Sequence, residues 1–134
     1  TQGDYDADSR NAYSLVMKLE TSDHVTALLT GDVESDGERA AAGRLCGTTD
    51  FAGVDIYKAA HHGSRYSNTE ELIALAEPKL AVISCGRDNR YGHPHAETLE
   101  IFRQMGSDIR MTQDTGAIMI KIKNGKYEVE NYIR

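Results

Sequence analysis

The sequence predicts a single α/β domain in which helices cover a mixed β-sheet. At 134 residues the chain is long enough for one hydrophobic core and too short for two. Strand-like patterns at both ends enclose a segment in which helical and strand-like patterns alternate, an order typical of α/β folds. A hydrophobic content of 40% and a charged content of 27% are ordinary for a soluble globular protein, and no apolar run approaches the length that crosses a bilayer.

The domain is expected to begin with a β-hairpin. Residues 1–10 are polar and acidic without periodicity, which predicts a tail or linker before a domain that comprises residues 11–134. Residues 13–20 alternate apolar and polar side chains, and residues 24–31 form a second apolar stretch. Because only a short polar link separates the two predicted strands, a hairpin is favoured.

The middle of the chain predicts alternating helices and strands. Ser67-Asn-Thr-Glu70 is a capping-box sequence that would start one helix, and Pro94 suits the first position of another. Asn124-Gly125 predicts a turn into a last strand that ends near Tyr132. Strands are predicted at 53–60, 79–86, 108–112 and 116–122, and helices at 34–45, 67–76 and 94–105.

The first candidate site residue is Asp32, which follows an apolar strand in the sequence Thr30-Gly31-Asp32. A carboxylate at the carboxyl end of such a strand faces the crevice in which α/β proteins bind ligands. Aspartate is a hard oxygen ligand that can bridge two divalent metal ions. The alternative interpretation is that Asp32 caps the helix that follows, a common role for aspartate.

The second candidate group is the pair His61-His62, again directly after a predicted strand. Adjacent side chains diverge at a strand end, so one histidine is expected to bind a metal and the other to support it or to contact substrate. Ser64, Arg65 and the amides that open the helix at Ser67 can hold a phosphate. The alternative is a surface loop with two titrating histidines.

The third candidate group follows the strand that is expected to be the most buried. Two histidines, His93 and His95, flank Pro94 at a helix start, and His93 would occupy the N-cap with its ring towards the same crevice. Asn89 and Tyr91 lie in this segment and are assigned as candidate substrate contacts. The alternative is an ordinary loop in which the Asn and Gly residues serve turns.

The three groups together support a functional site more strongly than each does alone, because the strand-end loops of a parallel or mixed sheet meet at one edge. Four of the five histidines lie in two such loops and Asp32 lies in a third, whereas His24 begins a strand and is interpreted as structural or solvated. The two cysteines, Cys46 and Cys85, are interpreted as buried thiols without a disulfide framework, and the cellular compartment stays open.

The net charge of −6 argues against a general nucleic-acid-binding module, which usually carries a basic face. It does not exclude a phosphodiester substrate, because a bound metal ion brings its own positive charge. It mildly favours a small substrate over a long polyanion.

Three segments carry a resemblance to a known family: SLVMKLE…TALLTGD…E, YKAAHHGSRYS and AVISCGRDNRYGHPH. They resemble the second half of the metallo-β-lactamase-type domain of ComEC-type DNA-uptake (competence) proteins, over about residues 11–120. HHGS followed by S-x-G-x-x-N-x-Y-G-H-P-H is specific to this group, whereas a bare GD is not. The resemblance implies half of an αββα sandwich, and a site for one or two divalent metal ions, zinc or manganese.

The resemblance also implies roles for single residues. Asp32 matches the metal-bridging aspartate, and His61 matches a histidine ligand of one metal, with His62 as the second choice. His93 or His95 would contact the substrate phosphate or protonate a leaving group. These assignments make Asp32, His61 and His93 the candidate catalytic residues.

One departure from the family pattern is large. The HxHxDH metal motif of the N-terminal half is absent from this sequence, and Asp32 with a single histidine gives too few ligands for a tight site. An incomplete site is therefore expected, which the missing N-terminal half-domain of the same protein would complete. An open sheet face would also favour a homo-oligomer. Glu38 matches a recurring acidic position, without an assigned role.

The residue pattern and the resemblance leave three candidate functions. The first is part of a metal-dependent phosphodiesterase or nuclease that acts on DNA during uptake, in a bacterial protein whose membrane association stays open. The second is hydrolysis of a small ester, lactam or phosphoester, because a fold does not choose among these reactions. The third is a structural or partner-binding half-domain without catalysis, in which no divalent ion raises the melting temperature.

Overall fold

The computed structural model describes residues 10–46 and 53–132, so the predicted tail lies almost entirely outside the described residues. The strands are β1 (Met17–Glu20), β2 (Thr26–Leu29), β3 (Ile56–Lys58), β4 (Leu80–Ile83), β5 (Asp108–Met111), β6 (Ala117–Lys123) and β7 (Lys126–Tyr132). The helices are α1 (Ser35–Cys46), α2 (Glu70–Ala76), α3 (Ala96–Gln104) and the single-turn α4 (Thr112–Thr115). A 3-10 turn lies at Arg10–Tyr13, and Ala60–Gly63 forms a tight turn with left-handed backbone angles at its two central residues.

The main sheet is mixed and has five strands in the order β1-β2-β3-β4-β5. β1 and β2 form the predicted antiparallel hairpin, and β2, β3, β4 and β5 run parallel. β6 and β7 form a separate antiparallel hairpin, with Asn124 and Gly125 at positive φ in its turn. The predicted α/β class with a mixed sheet and helices is confirmed.

The helices pack on one face of the main sheet. Each parallel connection advances by one strand in the same direction, and right-handed crossovers then place successive helices on the same side. The core on this face is continuous from α1 to α3, and the ring of Tyr57 packs edge-on against Phe102 at 5.6 Å. Leu72, Ile73 and Ala76 of α2 are fully buried.

The opposite face of the sheet is only partly covered. A smaller core of Val25, Ile56 and Leu80 packs there against side chains of the β6–β7 hairpin. At the β1 edge, large apolar side chains remain exposed. They are Leu15, Met17 and Leu19. Self-association through this face stays a prediction.

Two predicted helix starts were wrong. α2 has Thr69 as its N-cap, not Ser67, and its hydroxyl accepts a hydrogen bond from the Leu72 amide at 3.4 Å. Asn68, just before it, takes a positive φ of 63°, which keeps the chain out of the right-handed helical conformation at this residue.

α3 begins at Ala96 with His95 as N-cap, so Pro94 is not its first residue and His93 is not its cap. The physical reason is a contact between loops. The His95 amide donates to the Gly63 carbonyl at 3.0 Å, and Pro94 lies against Gly63, where an added Cβ would be 2.6 Å from the Pro94 Cβ.

Within residues 10–46 and 53–132, no helix combines the length and the apolar character that spanning a bilayer requires.

Candidate functional site

The loops that follow β2, β3 and β4 meet at the carboxyl edge of the sheet, because these strands are parallel neighbours. They bring together four histidine rings. The His61 and His93 centroids are 5.5 Å apart, and those of His93 and His95 are 4.9 Å apart. The His62 ring lies 6.4 Å from His61 and 6.5 Å from His93. We call these four residues the histidine cluster.

Main-chain hydrogen bonds join the three loops. The His61 amide donates to the Gly31 carbonyl at 3.0 Å, which ties the loop after β3 to the loop that carries Asp32. The His95 amide donates to the Gly63 carbonyl at 3.0 Å, which ties the loop after β4 to the loop after β3. The histidine cluster therefore rests on backbone contacts as well as on its side chains.

A carboxylate lies beside each histidine of the His61-His62 pair. His62 Nε2 is 3.9 Å from an Asp32 oxygen, and His61 Nδ1 is 3.5 Å from a Glu34 oxygen. His61 Nδ1 is buried and has no hydrogen-bond partner among the described residues. Both histidines have positive φ, 46° and 57°, and both rings belong to the cluster.

The tautomer of His62 follows from its neighbour. Its Nδ1 lies 2.6 Å from the Ser84 carbonyl oxygen. A carbonyl oxygen only accepts, so Nδ1 carries the proton and donates. In the neutral ring Nε2 is then unprotonated on the side of Asp32, which is the arrangement of a metal-binding imidazole whose other nitrogen is held by the backbone.

The loop after β3 is held by a buried polar network that the sequence did not reveal. Glu38 of α1 is completely buried, and its two carboxyl oxygens accept hydrogen bonds from the amides of Asn68 and Thr69. The Asn68 side chain accepts from the Ala60 amide at 2.8 Å, and donates to the carbonyls of Ala60 at 3.0 Å and Ser64 at 3.4 Å. Burial raises the pKa of Glu38, and the hydrogen bonds from the two amides oppose that rise.

The loop after β4 is held by Asn89. Its Oδ1 accepts from the His93 amide at 3.0 Å, and its Nδ2 donates to the carbonyls of Gly86 and His93. Both polar atoms of Asn89 are therefore engaged within its own loop. Tyr91 is 61% exposed and its ring is nearly parallel to His93 at 5.7 Å. Burial lowers the pKa of His93, as do the neighbouring rings of the cluster.

The other predicted substrate contacts differ in exposure. Ser64 and Ser67 are buried, and the Ser64 hydroxyl accepts from the Tyr66 amide at 3.2 Å. Arg65 is exposed and pairs with Glu97 at 2.8 Å, and its amide donates to His95 Nδ1 at 3.0 Å. Contact with substrate stays a prediction for all of these residues, and among them Arg65 presents a charged group to solvent.

The sequence reading singled out neither Glu34 nor Asn68, and gave Glu38 no role. Glu34 was hidden within an acidic run before α1, where a solvated position is the ordinary expectation. Glu38 and Asn68 are thirty positions apart, and a contact at that separation has no local pattern. The available signal was the match of Glu38 to a recurring acidic position of the resembled family, which carried no role.

His24 and the two cysteines are not part of the histidine cluster. His24 is exposed and contacts Glu20 at 3.0 Å, so the structure separates it from the other four histidines. Cys85 is a free, part-buried thiol whose pKa is raised by burial, and the side chain of Cys46 lies outside the described residues.

The fit of the described residues to a metal ion is incomplete. Among the residues that the structure describes, no group of three or more His, Cys, Asp or Glu side chains has a geometry that holds a metal ion. His61 Nδ1, which is buried and makes no hydrogen bond among the described residues, and His62 Nε2, which faces Asp32, are suitable donors. A stable zinc site needs three or four protein ligands. Completion would need further donors.

The chain is similar to two longer curated proteins, and no family model matches it. It is 36% identical to ComE operon protein 3 of Bacillus subtilis over 119 residues, which are 89% of this chain and 15% of that protein. It is 28% identical to Recombination protein 2 of Haemophilus influenzae over 120 residues, which are 90% of this chain and 14% of that protein. The chain thus spans about one seventh of the length of these relatives.

Proposed function

We propose that this chain is part of a metal-dependent hydrolase that cleaves phosphodiester bonds of DNA during DNA uptake. The observation that carries the proposal is the convergence of four histidines with Asp32 at the carboxyl edge of the parallel strands. One relative is named for the ComE operon and the other for recombination. Both names agree with the resemblance of the sequence to ComEC-type competence proteins.

The roles of the residues follow from their surroundings. Asp32, His61 and His62 would hold zinc or manganese, and the bound ion supplies an activated water and positive charge for the phosphate. The Ser84 carbonyl orients His62, and the Glu38–Asn68 network fixes the backbone of the loop. The rings of His93 and His95 would donate N–H groups to phosphate oxygens, in line with their position at the same edge.

The edge that carries the cluster also offers positive charge, although the chain as a whole carries −6. Arg65 lies in the loop after β3, and Arg87 and Arg90 lie in the loop after β4, all three exposed. Arginine binds phosphate in a bidentate manner, so a phosphodiester can approach this edge despite the net charge.

The incomplete ligand set supports a shared site. In the proposed arrangement the chain forms the C-terminal half of an αββα sandwich, and the other half supplies the remaining metal ligands. The apolar side chains of Leu15, Met17 and Leu19, exposed at the β1 edge of the uncovered sheet face, agree with a further layer there.

The test is metal-dependent cleavage of a labelled DNA strand by the full-length protein that contains this chain. Asp32→Ala and His61→Ala are expected to reduce the rate on the order of 100-fold or more, because each removes a metal ligand. The matched control is His24→Ala, which removes an exposed histidine outside the cluster and should leave the rate unchanged. Full activity in Asp32→Ala would refute the proposal.

Two other functions have specific support. The net charge of −6 favours a small ester, lactam or phosphoester over a polyanion, and a panel of such substrates on the same protein separates the cases. The lack of a three-ligand group in the described part of the chain favours a partner-binding half-domain. In that case zinc and manganese leave the melting temperature unchanged even when the rest of the protein is present.

A further inference from the structure

A pocket of about 440 Å³ lies beside the histidine cluster. The loop after β4 and the start of α4 enclose it, and its walls include His62, His93, Tyr91, Asn89, Cys85 and Thr112. Its volume falls in the lower part of the range of about 300–1,000 Å³ that is usual for small-molecule sites. A ligand of the size of one nucleotide suits this volume.

Flat rings form one side of the pocket. Tyr91 lies within 22° of parallel to His93, and His93 lies within 20° of parallel to His62. The Arg90 guanidinium is 4.8 Å from the centre of the Tyr91 ring and donates a hydrogen bond to its hydroxyl. Aromatic rings beside arginine are the groups that proteins use to stack unpaired bases.

The Tyr91 ring lies in the wall of the pocket and is accessible from solvent. A tyrosine ring that is 61% exposed leaves apolar surface in water, and its nearest ring partner, His93, is itself part of the proposed catalytic edge. The described residues that line the pocket include no carboxylate. Asp32 lies outside this lining, 3.9 Å from His62 Nε2, and is one of the residues proposed to hold the metal ion.

We propose that this pocket binds one unpaired nucleobase, stacked on Tyr91, of a nucleic-acid strand whose adjacent phosphate lies at the histidine cluster. The inference rests on the proposed function and narrows its substrate to single-stranded ends or segments. In a duplex both faces of each base are stacked on neighbouring bases, so no base face is available to the tyrosine.

The experiment measures binding of fluorescein-labelled, phosphorothioate-linked oligothymidylate to the chain by anisotropy. A second oligomer of the same length has one abasic position. The chain is expected to prefer the intact oligomer, and Tyr91→Ala to weaken its binding by about tenfold and abolish the preference. Tyr91→Phe, which keeps the ring, and Tyr66→Ala, which removes a tyrosine that is 67% exposed outside the pocket, should stay within about twofold of the wild type.

The inference fails if the wild-type chain does not bind the intact oligomer, or if it binds the intact and the abasic oligomers equally well. It also fails if Tyr91→Ala binds the intact oligomer as well as the wild-type chain does. Cleavage by the full-length protein separates this failure from that of the hydrolase. Cleavage that needs Asp32 but is insensitive to Tyr91→Ala would overturn the base pocket alone. Base-dependent binding without any metal-dependent cleavage would overturn the hydrolase alone.

Discussion

The loop after β3 and the loop after β4 each bring two histidines to the same edge, but they are held in different ways. The loop after β3 is held by hydrogen bonds of the Glu38 and Asn68 side chains, and both residues are fully buried. The second is closed by Asn89, which is only part-buried, and it presents Tyr91 to solvent. The difference agrees with separate roles for the two loops. The buried network fixes the residues proposed for metal binding, and the more open loop adapts to substrate.

The largest effect is expected from Glu38→Ala, which removes the buried support of the first loop. Two amides would lose a charged acceptor, and the free energy of unfolding should fall by about 3 kcal/mol. Urea denaturation measures the loss. Asp36→Ala, on the exposed side of the same helix, is the control and should change stability by less than about 0.5 kcal/mol. Equal stability of the two variants would show that the network is not a support.

A smaller effect is expected from Gly63→Ala, which tests the contact between the two loops. Gly63 has a φ of 86°, and an added Cβ would lie 2.6 Å from the Pro94 Cβ. Both the backbone conformation and the overlap oppose the substitution, so stability should fall by about 1–3 kcal/mol. Gly53→Ala, where φ is 77° but no atom of the described residues lies within 4 Å of the added Cβ, separates the two causes. A loss of the same size in both variants would assign the whole effect to φ.

The smallest effect concerns the charge of His93. Burial and the neighbouring His95, His61 and His62 lower its pKa, so the unfolded chain binds its proton more readily than the folded chain. Its contribution to stability is therefore present above pH 6.5, the ordinary histidine value, and is lost as the pH falls below it. Titration of the ring protons by NMR should give a midpoint below 6.5. A midpoint at or above this value would contradict the placement of the partly buried ring among the other three histidines.

Local patterns predicted most of the fold, because apolar periodicity and turn residues act over a few positions. The parallel order of the strands was enough to predict that Asp32 and the four histidines meet. The support of the loops was not predictable, because it depends on contacts such as that between Glu38 and Asn68. The same cause explains the wrong helix start at Ser67. The Asn68 side chain bonds back to the preceding loop, and the capping-box pattern does not show that use.

The hydrogen bonds from His61 to Gly31 and from His95 to Gly63 connect main-chain atoms only. At His61 and His95 they use the main-chain amide and not the imidazole. Replacement of the His61 imidazole by another donor, such as a thiolate or a carboxylate, therefore leaves the donor and the acceptor of both main-chain hydrogen bonds in place. At the proposed metal site, such replacements would change the metal ligands one at a time while the loops keep these two hydrogen bonds.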